Sequence, residues 1–375
     1  MDESLAARVC EAGEPRTSRI RESRFDDYDK IIALQQRNGL TPRSYASWVS
    51  LWRENPAYRP GEPIGWVLET PAGEIGGYIG NLPLAYRFKR RELRAATVYS
   101  WAADTAFRGY SLALLDRLVR QPGIDLIVCT TPNAAAARAF DAFQFRKVPA
   151  GKWDKCWFWI TGHIGFAQSA LRAERIWCSR ALSYPLAAAL YTRDRLRQPQ
   201  RGATHAAGLE LLTRFDARFE RFWRELAEQE RGKLTAVRDR ETLEWHFGRA
   251  LDAGDAWIVA APAMGKLAAF AILDRQDHSA LDLKRIRLVD FQALRGFEHL
   301  LHPVLGRALE HCRAEGAHVL ENAGCWLGRW GAAAPYRRAM KTWGFYYKAR
   351  HEELAAQLED PAVWAPSAFD GDSSI

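Results

Sequence analysis

The chain has 375 residues, enough for two domains on a prior of roughly 100–200 residues each. With 48% hydrophobic and 26% charged residues it is globular rather than disordered. A net charge of +8 leaves polyanionic partners open: nucleic acid, anionic lipid or a phosphorylated cofactor. No apolar run reaches the ~20 residues of a membrane span, and the N-terminal MDESLAARVCEAGEPR lacks the pattern of a secretory signal. The six cysteines show no CxxC spacing, so a reducing, cytoplasmic setting is expected.

Residues 1–20 read as a loose lead-in. Asp26 to Asn38 has an acidic first turn and stops at Gly39, which predicts a helix. Thr41-Pro42 is expected to open a second helix, with Trp48, Leu51 and Trp52 on its inner face. Strands are expected at Ile64–Glu69, Ile75–Leu84 and Leu93–Ala103, with a basic turn at Lys89-Arg90-Arg91. Gly76, Gly77 and Gly80 inside the second strand point to bulges or close backbone approach. The third strand runs through Thr105–Tyr110 into a helix from about Ser111, whose buried face should hold Leu112, Leu115, Leu118 and Val119. A buried strand at Ile124–Thr130 follows, then a short helix at Ala134–Phe143. Phe145–Val148 and Cys156–Ile160 are expected to close this half as a pair of strands.

Residues 161–212 break the rhythm. Ala167 to Arg197 predicts helices rich in arginine, broken or kinked at Pro185, with Pro199, Gly202 and Ala203 as a linker. A helical connector is expected here; the arginine content also raises peripheral contact with a membrane surface. From Phe215 the order begins again: a helix with Phe219, Phe222, Trp223 and Leu226 inward, and a second helix at Glu241–Leu251. Strands are expected at Trp257–Ala261, Leu267–Leu273 and Ile286–Phe291, followed by a helix at His299–Arg313. A strand at Val319–Glu321, a short helix at Tyr336–Thr342 and a strand at Phe345–Ala349 complete the series. Both halves share one element order, which predicts a duplicated fold.

A strand running through a tight turn into a helix start is suited to phosphate, because the first helical N–H groups lack partners and the helix dipole favours an anion. The first half resembles the GNAT N-acetyltransferase superfamily. The resemblance covers about Arg21 to Ile160 and rests on Ala103–Leu118 and on Asn133 through Phe145. In that family the turn reads Arg/Gln-x-x-Gly-x-Gly/Ala, and its amides hold the pyrophosphate of acetyl-CoA. Here Arg108 stands first, Ala113 last and Ser111 in place of the usual first Gly. Phe140 stands where the family's proton-donating tyrosine would be, and Gln144 replaces a Gly. A phenyl ring donates no proton.

The resemblance implies an α/β (α+β) protein of two GNAT-like domains, each a mixed, mostly antiparallel central sheet flanked by helices. The implied divisions are 21–160 for acyl-CoA binding, 161–212 as connector, 213–360 as a degenerate copy and 361–375 as a tail. The degenerate copy has Asp290 to His299 where the phosphate turn belongs. The implied cosubstrate is acetyl-CoA or another acyl-CoA, held by Ala103, Arg108, Gly109, Tyr110, Ser111, Leu112, Ala113, Asn133 and Phe140. The implied reaction is direct attack of an amine on the thioester, for which Asp104, Tyr99 and Tyr110 are the catalytic candidates. For Asp104 the alternative is a cap of the turn. Trp364 to Asp372 is similar to the ends of tandem GNAT-like proteins of surface-polysaccharide pathways, which makes an amino sugar the expected acceptor. A Fem-like aminoacyl transferase and a non-catalytic acyl-CoA sensor are the other readings. No metal site is expected, since His299, His302 and His311 make no ligand motif, and no nucleic-acid stacking platform is present.

Overall fold

The structure is a computed structural model and describes residues 18–176, 179–197, 208–340 and 344–375. Two compact units form, and both are discontinuous in sequence, where the linear reading has 21–160 followed by 213–360. Unit 1 takes the chain up to Leu84 together with Ala96–Ile127; unit 2 takes Ala85–Ala95 and Val128–Ile375.

Unit 1 begins with β1 (Arg19–Glu22), so the end of the expected loose lead-in is a strand. It pairs antiparallel with β2 (Gly65–Glu69), and Arg19 and Arg21 both reach Glu69. These guanidiniums hold the Glu69 carboxyl down at about 2. Helices α1 (Tyr28–Arg37) and α2 (Tyr45–Arg53) follow β1. Helix α2 starts later than expected, because the Ser44 hydroxyl, not Pro42, sets its first turn by accepting from the Ser47 N–H. Its Trp48 and Trp52 are buried edge to face, 5.1 Å between centroids.

β3 (Ile75–Phe88) pairs antiparallel with β2 and continues through Lys89-Arg90 into β4 (Arg91–Ala103). Lys89 and Arg90 have φ of 49° and 66°, the two left-handed residues of a tight hairpin turn. The strand glycines mark close approach: a Cβ on Gly80 would fall 2.5 Å from the Tyr99 carbonyl. Helix α3 (Ser111–Arg120) buries Leu114, Leu115 and Leu118 and leaves Leu112 exposed, a face rotated from the one expected. β5 (Leu126–Cys129) is buried throughout.

Unit 2 opens with α4 (Ala134–Ala142), β6 (Arg146–Lys147) and β7 (Lys155–Ile160). Its hairpin of helices is α5 (His163–Ala173) and α6 (Ser179–Arg197). Pro185 does not end α6. It sits on an exposed side, next to solvent that can satisfy the carbonyl left without a donor. The linker expected at 199–203 lies outside the described residues. Then come β8 (Glu210–Leu212), α7 (Ala217–Gln229), β9 (Thr235–Ala236) and α8 (Arg240–Ala253). Helix α7 buries Phe219, Phe222, Trp223 and Leu226 as expected. β10 (Ala256–Ala263), β11 (Lys266–Arg275) and β12 (Arg285–Ala293) precede α9 (Leu301–Ala314) and β13 (Val319–Ala323). β14 (Tyr336–Ala339), β15 (Tyr346–Ala349) and α10 (Glu352–Gln357) complete the series.

The seven-stranded sheet of unit 2 has the order β14-β7-β13-β12-β11-β10-β8. Only β12 and β13 run parallel; the other pairings are antiparallel. Two expectations are corrected here. β7 does not close against the 145–148 segment: it lies between β13 and β14, while β6 pairs with β15. The helix expected at Tyr336–Thr342 is strand β14 where it is described. Tyr336 stacks on Phe158 at 5.3 Å and Arg338 bonds Glu321 at 2.8 Å, cross-strand contacts that local propensity does not contain. The expected tail is also packed structure. Ser367, Ala368, Phe369 and Asp370 are buried, and Asp372 accepts from the Thr130 N–H and hydroxyl at 2.9 and 2.7 Å. Gly371 lies against Thr130 with φ +73°, where a Cβ would come within 2.7 Å of the threonine methyl.

The element order repeats as far as β5 and β13, beyond which α4 has no helical counterpart because β14 stands in its place. In unit 1, β4 leads through a 3-10 turn into α3; in unit 2, β12 leads through one into α9.

Candidate functional site

The sequence between β4 and α3 folds as a 3-10 helix, Thr105–Tyr110, continuous with α3. Its seat is β3. The Asp104 N–H donates to the Gly76 carbonyl at 2.9 Å and the Phe107 N–H to the Asp104 carbonyl at 2.8 Å. The Phe107 ring lies on Gly76, where a Cβ would fall 2.4 Å from its edge. Next to it, Gly77 lets the Leu114 side chain of α3 come down onto the strand. The glycines therefore set how closely the turn and helix approach the sheet.

Arg108, Gly109, Tyr110, Leu112 and Ala113 are exposed together at this helix start, and Ser111 is partly buried. The Ser111 N–H is spent on the Arg108 carbonyl. No side chain caps α3, so no side-chain acceptor stands at the first-turn amides of Leu112 and Ala113. Arg108 makes no ion pair among the described residues, which leaves its guanidinium available beside them. Gly109 has ordinary φ and open space around a built Cβ, so its place in the turn does not depend on lacking a side chain.

The Asp104 carboxylate does not cap the turn. Arg37 holds it at 2.8 and 3.3 Å and Asn38 at 3.2 Å, tying the end of α1 to the end of β4. The Arg37 guanidinium lowers its proton affinity, the opposite of what a proton acceptor needs.

Tyr99 stands earlier on β4. It is partly buried, packs edge to face with Trp52 at 6.2 Å, and has the Arg43 side chain beside its hydroxyl. Burial raises its proton affinity, with Arg43 partly opposing, so the phenol stays protonated at neutral pH. The next residue, Ser100, has φ +55°, a kink that interrupts strand alternation, and its hydroxyl accepts from Gln35 at 2.7 Å. Spacing alone, which sends Tyr99 and Ser100 to opposite faces, misses this kink. Tyr110 is exposed at the turn, and Ala103 ends β4, partly buried.

The remaining two candidates belong to unit 2. Asn133 is the N-cap of α4, its side-chain oxygen accepting from Ala135 and Ala136 at 3.0 and 2.9 Å. Phe140 is core, stacked on Phe145 at 4.8 Å and near Tyr346 at 5.6 Å. Helix α4 ends at Gln144 in the left-handed conformation (φ +58°), with the Phe145 N–H reaching back to the Phe140 carbonyl at 2.9 Å. That geometry favours glycine. Gln144→Gly is expected to stabilise the protein by about 1 kcal/mol, read as a higher thermal midpoint; an unchanged or lower midpoint would show that the glutamine side chain compensates.

Sequence reasoning missed a buried charge cluster in unit 2. Arg238 bonds Asp290 at 2.7 Å and lies 3.7 Å from Asp370. Tyr86 donates to Asp370 at 3.0 Å. Burial raises the proton affinity of Asp370, with Arg238 opposing. Asp290 also begins the segment that stands where the phosphate turn belongs in the second half.

No protein-family profile matches the sequence, and no curated protein matches it. Solved structures do share the fold. N-myristoyltransferase of Saccharomyces cerevisiae, solved with bound myristoyl-CoA, aligns over 90% of this chain and 81% of its own, at TM-score 0.54 and 11% identity. A GCN5-related N-acetyltransferase from Anabaena variabilis aligns over 89% of this chain and 73% of its own, with the same TM-score and identity.

Proposed function

We propose that this chain, whose GNAT-like fold is shared along about nine-tenths of its length with those structures, transfers an acyl group from acyl-CoA to an amine. The observation that carries this reading is the uncapped, exposed start of α3 beside Arg108, at the end of β4, in such a fold. In this reading the Leu112 and Ala113 amides and Arg108 take the CoA pyrophosphate. The amine nitrogen attacks the thioester carbonyl carbon, the carbon–sulfur bond breaks, and the Tyr99 hydroxyl gives its proton to the departing thiolate. The proton of the new ammonium leaves to solvent and the phenol is restored from water. Asp104 holds the turn and takes no proton. The N-myristoyltransferase structure with bound myristoyl-CoA makes long acyl chains part of the proposal alongside acetyl. An amino sugar remains a proposed acceptor, although the tail that prompted it is packed structure.

The test is thiol release from acetyl-, octanoyl- and myristoyl-CoA against an amino sugar, a peptide amine and a diamine. Release should require both substrates. Tyr99→Phe should lower kcat about 10²-fold with little change in the KM for acyl-CoA, while Asp104→Asn should leave the pH–rate profile in place. An equal loss from Asp104→Asn, with its pH limb removed, would reverse the assignment. Binding of acyl-CoA without release across the panel would favour the sensor reading, which the buried Phe140 and the clamped Asp104 support. Absence of acyl-CoA binding by calorimetry would sink both.

A further inference from the structure

Helix α6 of unit 2 has two apolar faces. The inner one is accounted for. Ser183 and Ala187 are buried, and Leu190 packs with Phe166 on a cluster of Phe158, Ile160, Val319 and Tyr336. Asp194 pins the helix by accepting from the Tyr336 hydroxyl at 2.6 Å and bonding His163 at 2.9 Å. At 3.6 residues per turn the opposite face holds Leu182, Pro185, Ala188, Ala189, Thr192 and Leu196, all exposed. That outer strip contains no charge. Arg193 borders it on one side and Arg195 on the other, with Tyr184 and Tyr191 beyond Arg195.

Exposure is concentrated here. Among the described residues eleven large hydrophobic side chains are exposed, and six of them lie between Ile164 and Leu196. Leu196 is 79% exposed and Tyr184 63%. The same stretch, 163–197, carries six arginines in sequence against Glu174 and Asp194. Arg193 lies over the Tyr336 ring and Arg195 donates to the Tyr191 hydroxyl, yet these contacts give a solvated face no reason to keep its outermost strip free of charge. A lipid surface gives it one. Apolar side chains enter the boundary between headgroups and acyl chains, guanidiniums reach out to phosphates, and tyrosines sit at headgroup level. No described helix is long and apolar enough to cross a membrane, which agrees with a helix lying in the plane of the interface.

We infer that the outer face of α6 docks unit 2 on an anionic lipid surface. The arginine borders favour this occupant over an apolar protein groove, since they match the negative potential of acidic lipids.

The experiment is sedimentation of the full chain with large vesicles, neutral or containing about one-third phosphatidylserine or phosphatidylglycerol. Binding to the acidic vesicles is expected to exceed binding to neutral ones at least tenfold. The double variant Leu182→Glu/Leu196→Glu should lose at least tenfold of it, with circular dichroism and thermal midpoint unchanged because both side chains are exposed. A control, Lys89→Glu/Arg90→Glu on the hairpin tip, lowers the net charge more and should lose much less. Equal losses from the two double variants would mean that a generally basic surface binds, and would overturn the assignment. So would wild type that ignores acidic vesicles. Concentration-dependent self-association abolished by the leucine variant, without vesicle binding, would identify the face as a protein interface instead.

Discussion

Replacing Arg238 with leucine is expected to cost about 3–5 kcal/mol, the range for breaking a buried ion pair from one side. The side chain is almost inaccessible, 2% exposed, and every polar group on it is engaged. Its Nε bonds Asp290 at 2.7 Å, Nη1 the Ala236 carbonyl at 2.8 Å and Nη2 the Ser367 hydroxyl at 3.1 Å. The guanidinium also lies over the Phe369 ring at 4.7 Å. Leucine removes all of this and leaves two buried carboxylates, Asp290 and Asp370, with Arg329 as their remaining nearby counter-charge. The loss should depend on pH, and its sign follows from linkage. A carboxyl whose proton affinity is raised by folding binds its proton more tightly when folded, so it is destabilising where the unfolded chain has already ionised. The deficit should therefore shrink toward acid pH and grow as the pH rises through 3.8, the ordinary aspartate value. Adding Asp290→Leu should recover part of it, since a fully apolar replacement strands fewer charges. Urea unfolding across a pH series reads all three. A loss below about 1 kcal/mol, or one flat with pH, would show that water reaches the cluster.

Gly76→Val should have the largest effect on the proposed site. The new Cβ would meet the Phe107 ring edge at 2.4 Å, and the strand cannot retreat because the Gly76 carbonyl accepts from the Asp104 N–H. Phe107 must leave, and the turn Thr105–Tyr110 leaves with it. Overpacking of this kind costs about 1–3 kcal/mol. Because the turn aims the amides of α3, affinity for acyl-CoA should fall at least tenfold, about 1.4 kcal/mol. Gly109→Ala is the contrast: it lies in the turn itself, yet nothing lies within 4 Å of its built Cβ. It should bind acyl-CoA as wild type does. Calorimetry on both variants decides between two views of this turn. If Gly109→Ala is the more damaging, bare backbone at the turn matters more than its seat on β3.

Local signals in the sequence reached a good part of this. Much of the repeated order of helices and strands was legible from periodicity, and so were the stripe of α7 and the close approach at the β3 glycines. These depend on residues a few positions apart. What escaped depends on residues far apart. Tyr336 to Ala339 became strand because Phe158 lies opposite Tyr336, and Glu321, one strand further, holds Arg338. β7 left its sequence neighbours for β13 and β14. Arg238, Asp290 and Asp370 look like surface residues until all three are seen to share one interior. At the site, the strand-to-helix passage was readable, but the role of Asp104 was not, because Arg37 and Asn38 claim it from another helix. The Ser100 kink was likewise invisible, since serine carries no strong signal for a left-handed backbone.

The clasp between Thr130 and Asp372 has a consequence in time. Their hydrogen bonds join residues 242 positions apart. A ribosome adding about 5–20 residues per second needs about 12–50 seconds to go from one to the other. Throughout that interval β5 exists without the partner that closes its end, and Tyr86 waits longer still for Asp370. Unit 2 therefore cannot reach its finished state before Asp370 and Asp372 have been added. The nascent protein must keep its early strands from pairing wrongly until those residues emerge.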